Sequence, residues 1–195
     1  MGKESIIKFI QKNSGFSENV AKEIASYFEV KNVKKNDFFL SEGKICAELM
    51  FLEEGYMRVF INDLNGCEVT TRFYSQNHTV YDASSFFSRN LSKENIQALT
   101  NCKGWSLSFE VMNILFHSFP EFREFGRSIL VKELVILQKR MVSALTETAE
   151  DRYLSLIKSN PNIFQYSSLK NISSYLGVTD SSLSRIRKIA FKKQG

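Results

Sequence analysis

The chain has 195 residues, is 43% hydrophobic and 13% aromatic, and holds two prolines and nine glycines, a composition that supplies an apolar core and excludes a linker-rich or disordered polymer. It carries 26 Lys and Arg against 21 Asp and Glu; 8 of the basic and 3 of the acidic residues lie from Glu150 onward, which leaves 18 of each before it. The whole net charge of +5 therefore sits at the C-terminal end, the electrostatic footprint expected of a nucleic-acid contact.

No stretch reaches the ~18 consecutive apolar residues of a membrane span, so no membrane partner is expected. The opening MGKESIIKFI has neither the apolar core nor the cleavage site of a secretory signal. Ile6 stands where N-myristoylation needs Ser or Thr. Cys46, Cys67 and Cys102 are scattered, and His78 and His117 have no partner at ligand spacing. These features predict a cytoplasmic protein with no metal and no cofactor.

Residues 3–27 read as helical, with Ser17 as the cap of a helix through Val20, Ile24 and Phe28. From Glu29 the period changes. FEVKNV, KNDFFLSEG, ELMFLEEG, YMRVFINDLNG, CEVTTRFYS and NHTVYD are short β-rich runs bounded by turn residues, and Asn65-Gly66 is a hairpin signal. A short helix over 83–89, strands near 96–99 and 104–109, and a helix over 109–119 punctuated by Pro120 complete this part. Short strands at regular spacing predict an antiparallel barrel or jelly roll.

Residues 121–147 form the longest helical pattern. Leu130, Leu134, Leu137, Met141 and Ala144 make a heptad seam, and Phe122, Phe125, Ile129 and Ile136 make a second apolar stripe. Two stripes need two partners. One is expected to cover the barrel and the other to meet a second copy of the chain.

A first core helix with Tyr153, Leu154, Leu156 and Ile157 then ends at Asn160-Pro161-Asn162. The run SLKNISSYLGVTDSSLSRIRK follows, from Ser168 to Lys188. Leu169, Ile172 and Leu176 share a helical face, Gly177 suits a left-handed turn, Val178 plugs the angle, and Thr179 is a good cap for the next helix. Leu183 and Ile186 face back, across the small Ser173. The opposite face carries Ser181, Ser182, Ser184, Arg185 and Lys188. Arginine grips guanine with two hydrogen bonds, and serine bonds to bases or phosphates. Arg187, Lys192 and Lys193 read as phosphate contacts or a solvated tail. A plain helical hairpin with a solvated basic face is the bland alternative.

FLEEGYMRVF, ETAEDRYLSLIKSNP and ISSYLGVTDSSLSRIRK, in this order of elements, resemble the Crp–Fnr family of bacterial transcription regulators over nearly the whole chain. RYLSLIKSNP and the LGVT ending are similar to its Bacteroidetes-type branch. The resemblance implies an α+β fold: an N-terminal double-stranded β-helix (jelly roll) of cyclic-nucleotide-binding type in 1–120, a dimerisation helix in 121–146, and a C-terminal winged helix-turn-helix in 147–195. It implies double-stranded DNA, a second copy and RNA polymerase as partners. Arg185 matches the family's guanine-contacting arginine. Asp180 and Ser181 stand where better-known members carry Arg and Glu, so a different DNA sequence is expected, with Asp180 a cap or an acceptor from cytosine.

The implied effector pocket departs further. Tyr81-Asp82 lies near the family's Gly-Glu pair, and its phosphate-gripping Arg-Ser or Arg-Thr pair falls in SKENIQAL, at Glu94-Asn95, with Lys93 a substitute only through a shift in register. Glutamate repels a cyclic phosphate, so no tight binding of cyclic AMP is expected. Phe73, Tyr81, Phe86 and Phe87 are candidates to line an apolar pocket for an unidentified small-molecule effector, or are plain core. No Gly-rich phosphate loop, G-x-S-x-G or H-E-x-x-H is present, so no catalytic residues and no enzyme are expected. The competing expectation is a ligand-binding roll that acts through protein partners, its C-terminal domain structural.

Overall fold

The computed structural model describes residues 3–194, and for residues 13, 14 and 191–194 the backbone alone. The side chains of Lys192 and Lys193 therefore lie outside the described residues. Two helices, α1 (Glu4–Ser14) and α2 (Glu18–Ser26), open the fold. Ser17 caps α2 by accepting from the Val20 N–H. Then follow β1 (Glu29–Val33), β2 (Phe38–Leu40), β3 (Glu48–Glu54), β4 (Met57–Asn62), β5 (Glu68–Tyr74), β6 (Thr79–Val80), α3 (Ala83–Ser88), β7 (Asn95–Ala98) and β8 (Cys102–Ser108).

The strands form two four-stranded antiparallel sheets, ordered β1-β8-β3-β6 and β2-β7-β4-β5. The β4–β5 hairpin turns through Asn65-Gly66 with Gly66 at φ +76°, and Asp63 Oδ1 accepts from the N–H groups of Asn65 and Cys67. Met50, Leu52, Met57, Val59, Ile96 and Leu107 share one core between the sheets, joined by Ile6, Ile24 and Trp105. Gly104 is required there: a Cβ on it would lie 2.1 Å from the Phe51 carbonyl oxygen.

Next come α4 (Phe109–Ser118) and the 27-residue α5 (Pro120–Thr146). Pro120 opens α5, where its missing N–H costs no hydrogen bond. Phe122 and Phe125 are buried in the roll's core and Ile129 packs on it. Ile136 departs from the expected stripe, being 50% exposed. Apolar packing of α5 on the roll's core ends near Ile129.

The rest is helical: α6 (Ala149–Ser159), α7 (Ile163–Tyr166), α8 (Leu169–Leu176) and α9 (Asp180–Gln194). Thr148 and Asp151 form a reciprocal capping box at the start of α6. Tyr153, Leu156, Ile163, Ile172, Leu176, Leu183 and Ala190 make a second core. No strand follows β8 among the described residues, so the expected wing is absent from them. A turn and the four-residue α7 join α6 to α8 where a hairpin would stand, and α9 remains helical through Gln194. No described helix is long and apolar enough to cross a membrane.

Candidate nucleic-acid interface and effector pocket

The α8–α9 angle is built from local chemistry. Ser168 caps α8 by accepting from the Asn171 N–H, and Gly177 closes it at φ +68°. Thr179 Oγ1 accepts from the Ser182 N–H at 3.2 Å, satisfying a free donor at the start of α9. Leu183 is fully buried against α8, and Val178 and Ile186 pack on the same core. Ser173, also buried, donates to the Asp180 carboxylate. That bond ties the first turn of α9 to α8.

Ser181, Ser184, Arg185 and Lys188 are exposed on one side of α9, and Ser182 is half-buried beside its cap. Among the described residues no carboxylate forms an ion pair with Arg185 or Lys188. Arg187 lies differently. Its guanidinium stacks over the Phe164 ring at 4.4 Å and its Nε is buried. It braces α9 against α7 and does not share the free cationic face, because residue 187 falls on the helix's inward side.

On α5 the seam residues Leu130, Leu134, Leu137 and Met141 are 42–66% exposed, and Ala144 and Leu145 continue the exposed row. Such a row of large apolar side chains is unusual on a surface that stays in water.

The residues expected to line an effector pocket separate. Phe73 lies in the second core, at 5.2 Å from the Tyr175 ring, and not inside the roll. Strand alternation is the reason: Arg72 and Tyr74 take the inner face, so Phe73 takes the outer one. Phe86 is wholly buried core. Tyr81 and Phe87 do border a narrow apolar crevice, with Phe9, Phe51, Phe116 and Ile129. Asp82 caps α3, accepting from the Ser85 N–H and at 2.7 Å from the Ser92 hydroxyl. Asn95 is buried and accepts from the Glu42 N–H. Both are therefore committed to holding the loops around them.

Glu94, the other member of that expected pair, is half-buried. Burial holds its carboxyl above the usual range, the Asp82 charge adds to this, and Arg72 opposes it. Arg72 donates to the Tyr74 hydroxyl at 2.8 Å and to Glu133 of α5 at 3.0 Å. Tyr74 is buried, and desolvation pushes its hydroxyl well above the ordinary value; Tyr81 is pushed up to about 12 by the same cause. An internal ion pair thus joins the roll to the long helix. No local spacing marks it, because Arg72 and Glu133 lie 61 residues apart in the chain.

A second set of contacts joins the roll to the C-terminal helices. Arg58 donates to Asn171 at 2.7 Å and to Glu68 at 2.6 Å. The Thr70 N–H donates to Ser174 Oγ at 2.6 Å, and Tyr56 stacks on Tyr166 at 4.4 Å. β5 is the edge of its sheet, and α8 covers that edge, taking up a donor that would otherwise be left open.

Residues 30–119 match the family model described as the cyclic nucleotide-binding domain. No curated protein sequence matches the chain. Among solved structures, FixK2 from Bradyrhizobium japonicum matches with a TM-score of 0.73 at 12% identity, over 86% of each chain. A crp/fnr-family transcriptional regulator from Eubacterium rectale matches with a TM-score of 0.70 at 15% identity, over 93% of this chain and 86% of that one. PfPKA-R with cAMP bound matches with a TM-score of 0.51 at 17% identity, over 57% of this chain and 40% of that one. The likeness at these identities is one of fold. The chain carries a β-roll that is similar to the cyclic nucleotide-binding domain over residues 30–119 and a long helix, and its structural neighbours include Crp/Fnr-type regulators.

Proposed function

We propose that this protein is a homodimeric, sequence-specific DNA-binding transcription regulator. The observation that carries the reading is the outer face of α9. Ser181, Ser184, Arg185 and Lys188 are exposed together there, while Leu183 and Ala190 bury the opposite side. A short helix so anchored on a second helix is suited to a major groove. The exposed seam of α5 supports pairing of two copies, which sets two α9 helices against two half-sites. Arg185 reads guanine and Lys188 holds phosphate. Asp180, tied to Ser173, acts as a brace for α9.

The roll serves as a control domain that does not use cyclic AMP. Glu94 opposes a phosphate, and the Arg72–Glu133 pair already bridges the roll to α5. Selection of bound sequences from a random DNA pool tests the reading and is expected to return a two-fold symmetric site. Arg185→Ala is expected to weaken that site by roughly 1–3 kcal/mol and to relax one base position. Lys188→Ala is expected to weaken all sequences alike and to lower the salt slope by about 1. DNA affinity unchanged by both substitutions overturns the proposal.

A further inference from the structure

An open cleft of about 970 Å³ lies where β5, the second half of α5, α6 and the end of α8 meet. That volume suits a small organic ligand. The cleft is distinct from the apolar crevice beside Tyr81, and its donors are unusual.

Arg140 of α5 lines it, half-buried, with its guanidinium 4.2 Å from the Tyr175 ring. No carboxylate pairs with Arg140 among the described residues. Burial weakens its hold on its proton; Tyr175 opposes this, and the nearby Arg72 charge acts with burial. A partly desolvated guanidinium without a counter-charge calls for an anion.

Thr70 gives a second, independent sign. It is 1% exposed at the cleft wall, and its hydroxyl has no hydrogen-bond partner among the described residues. Buried hydroxyls are normally satisfied. Its backbone N–H is already held by Ser174, so the hydroxyl alone is left over. Arg152 adds a second guanidinium to the wall, fixed by donation to the Glu147 and Leu176 carbonyl oxygens at 2.7 and 3.1 Å. Lys139 adds a third cation. Glu147 is the one carboxylate in the lining, and it accepts from Ser143.

The geometry points to a binding site in this cleft for a phosphate-bearing small molecule, gripped by Arg140 and Arg152, with the Thr70 hydroxyl bonding to a phosphate oxygen. A dianionic phosphate is favoured over a carboxylate because two guanidinium groups and an ammonium face a single engaged carboxylate. The ligand touches the roll through Thr70, the long helix through Arg140 and the C-terminal helices through Arg152, so it fixes all three together. The inference does not depend on DNA binding or on the fate of cyclic AMP.

Calorimetric titration of the full chain with 5′-AMP and with inorganic pyrophosphate tests it. At least one probe is expected to bind. Arg140→Gln is expected to weaken that binding by about tenfold or more, and Thr70→Val by a few-fold, at unchanged melting temperature. If Arg140→Gln melts early, Arg140→Lys keeps the charge and is expected to retain most of the affinity. No heat from either probe at millimolar concentration overturns the site. So does binding that survives Arg140→Gln but is lost in Arg185→Ala or Arg72→Gln, which places the anion on α9 or inside the roll.

Discussion

Arg58 on β4 donates to the Asn171 side chain on α8 at 2.7 Å, across 113 residues of chain. The guanidinium is buried and also serves Glu68 and Gln97. A buried cation that loses one acceptor keeps its desolvation cost. Asn171→Ala is therefore expected to cost about 1–2 kcal/mol. The loss should fall on the docking of the C-terminal helices, read as faster amide exchange in α8 with the roll's exchange unchanged. Equal acceleration in both would count against a docking role.

The exposed seam of α5 gives a second expectation. Leu134 is 66% exposed and Met141 60%. If a second copy covers them, Leu134→Glu places a charge in an apolar interface at a cost of roughly 2 kcal/mol or more. Sedimentation velocity should show a shift from dimer to monomer, with the melting of the roll little changed. A chain that sediments as a monomer before substitution sinks the idea.

Glu94 makes stability depend on pH. Its carboxyl titrates above the ordinary 4.5, chiefly through burial. An acid raised in the folded state favours folding fully below its unfolded value, and that benefit is lost as pH rises through the folded value. At pH 7 the fold therefore carries the cost of a half-buried carboxylate. Glu94→Gln should raise the melting temperature at pH 7, with a gain that shrinks toward pH 4.5. A lower melting temperature at pH 7 would mean that attraction to Arg72 outweighs burial.

Glu94 predicts that cyclic AMP gives no calorimetric signal at micromolar concentration. Glu133→Gln should leave that result unchanged while costing about 1 kcal/mol, because the half-buried Arg72 loses its charged partner. Micromolar binding to the unsubstituted chain would refute the reading of the pocket.

Much of the architecture was legible from period and punctuation. Alternation over 29–108 marked the strands, Asn65-Gly66 the hairpin, and the spacing from Phe122 to Met141 the long helix. The α8–α9 angle was the most legible part, because its determinants are local. Gly177 adopts a left-handed turn, Thr179 caps the next residues, and Leu183 lies one helical turn inside that cap.

Other residues were beyond such reading. Phe73 looked like a pocket aromatic but joins the second core, and Arg187 looked like a phosphate contact but stacks on Phe164. Ile136 carried the right spacing for the roll and still faces out. Arg72 with Glu133, Arg58 with Asn171, and the unpaired Arg140 beside Thr70 are set by segments 60 or more residues apart. Period and propensity determine which face of an element is apolar. They do not determine which distant element covers it, because that depends on how the roll, the long helix and the terminal helices meet in space.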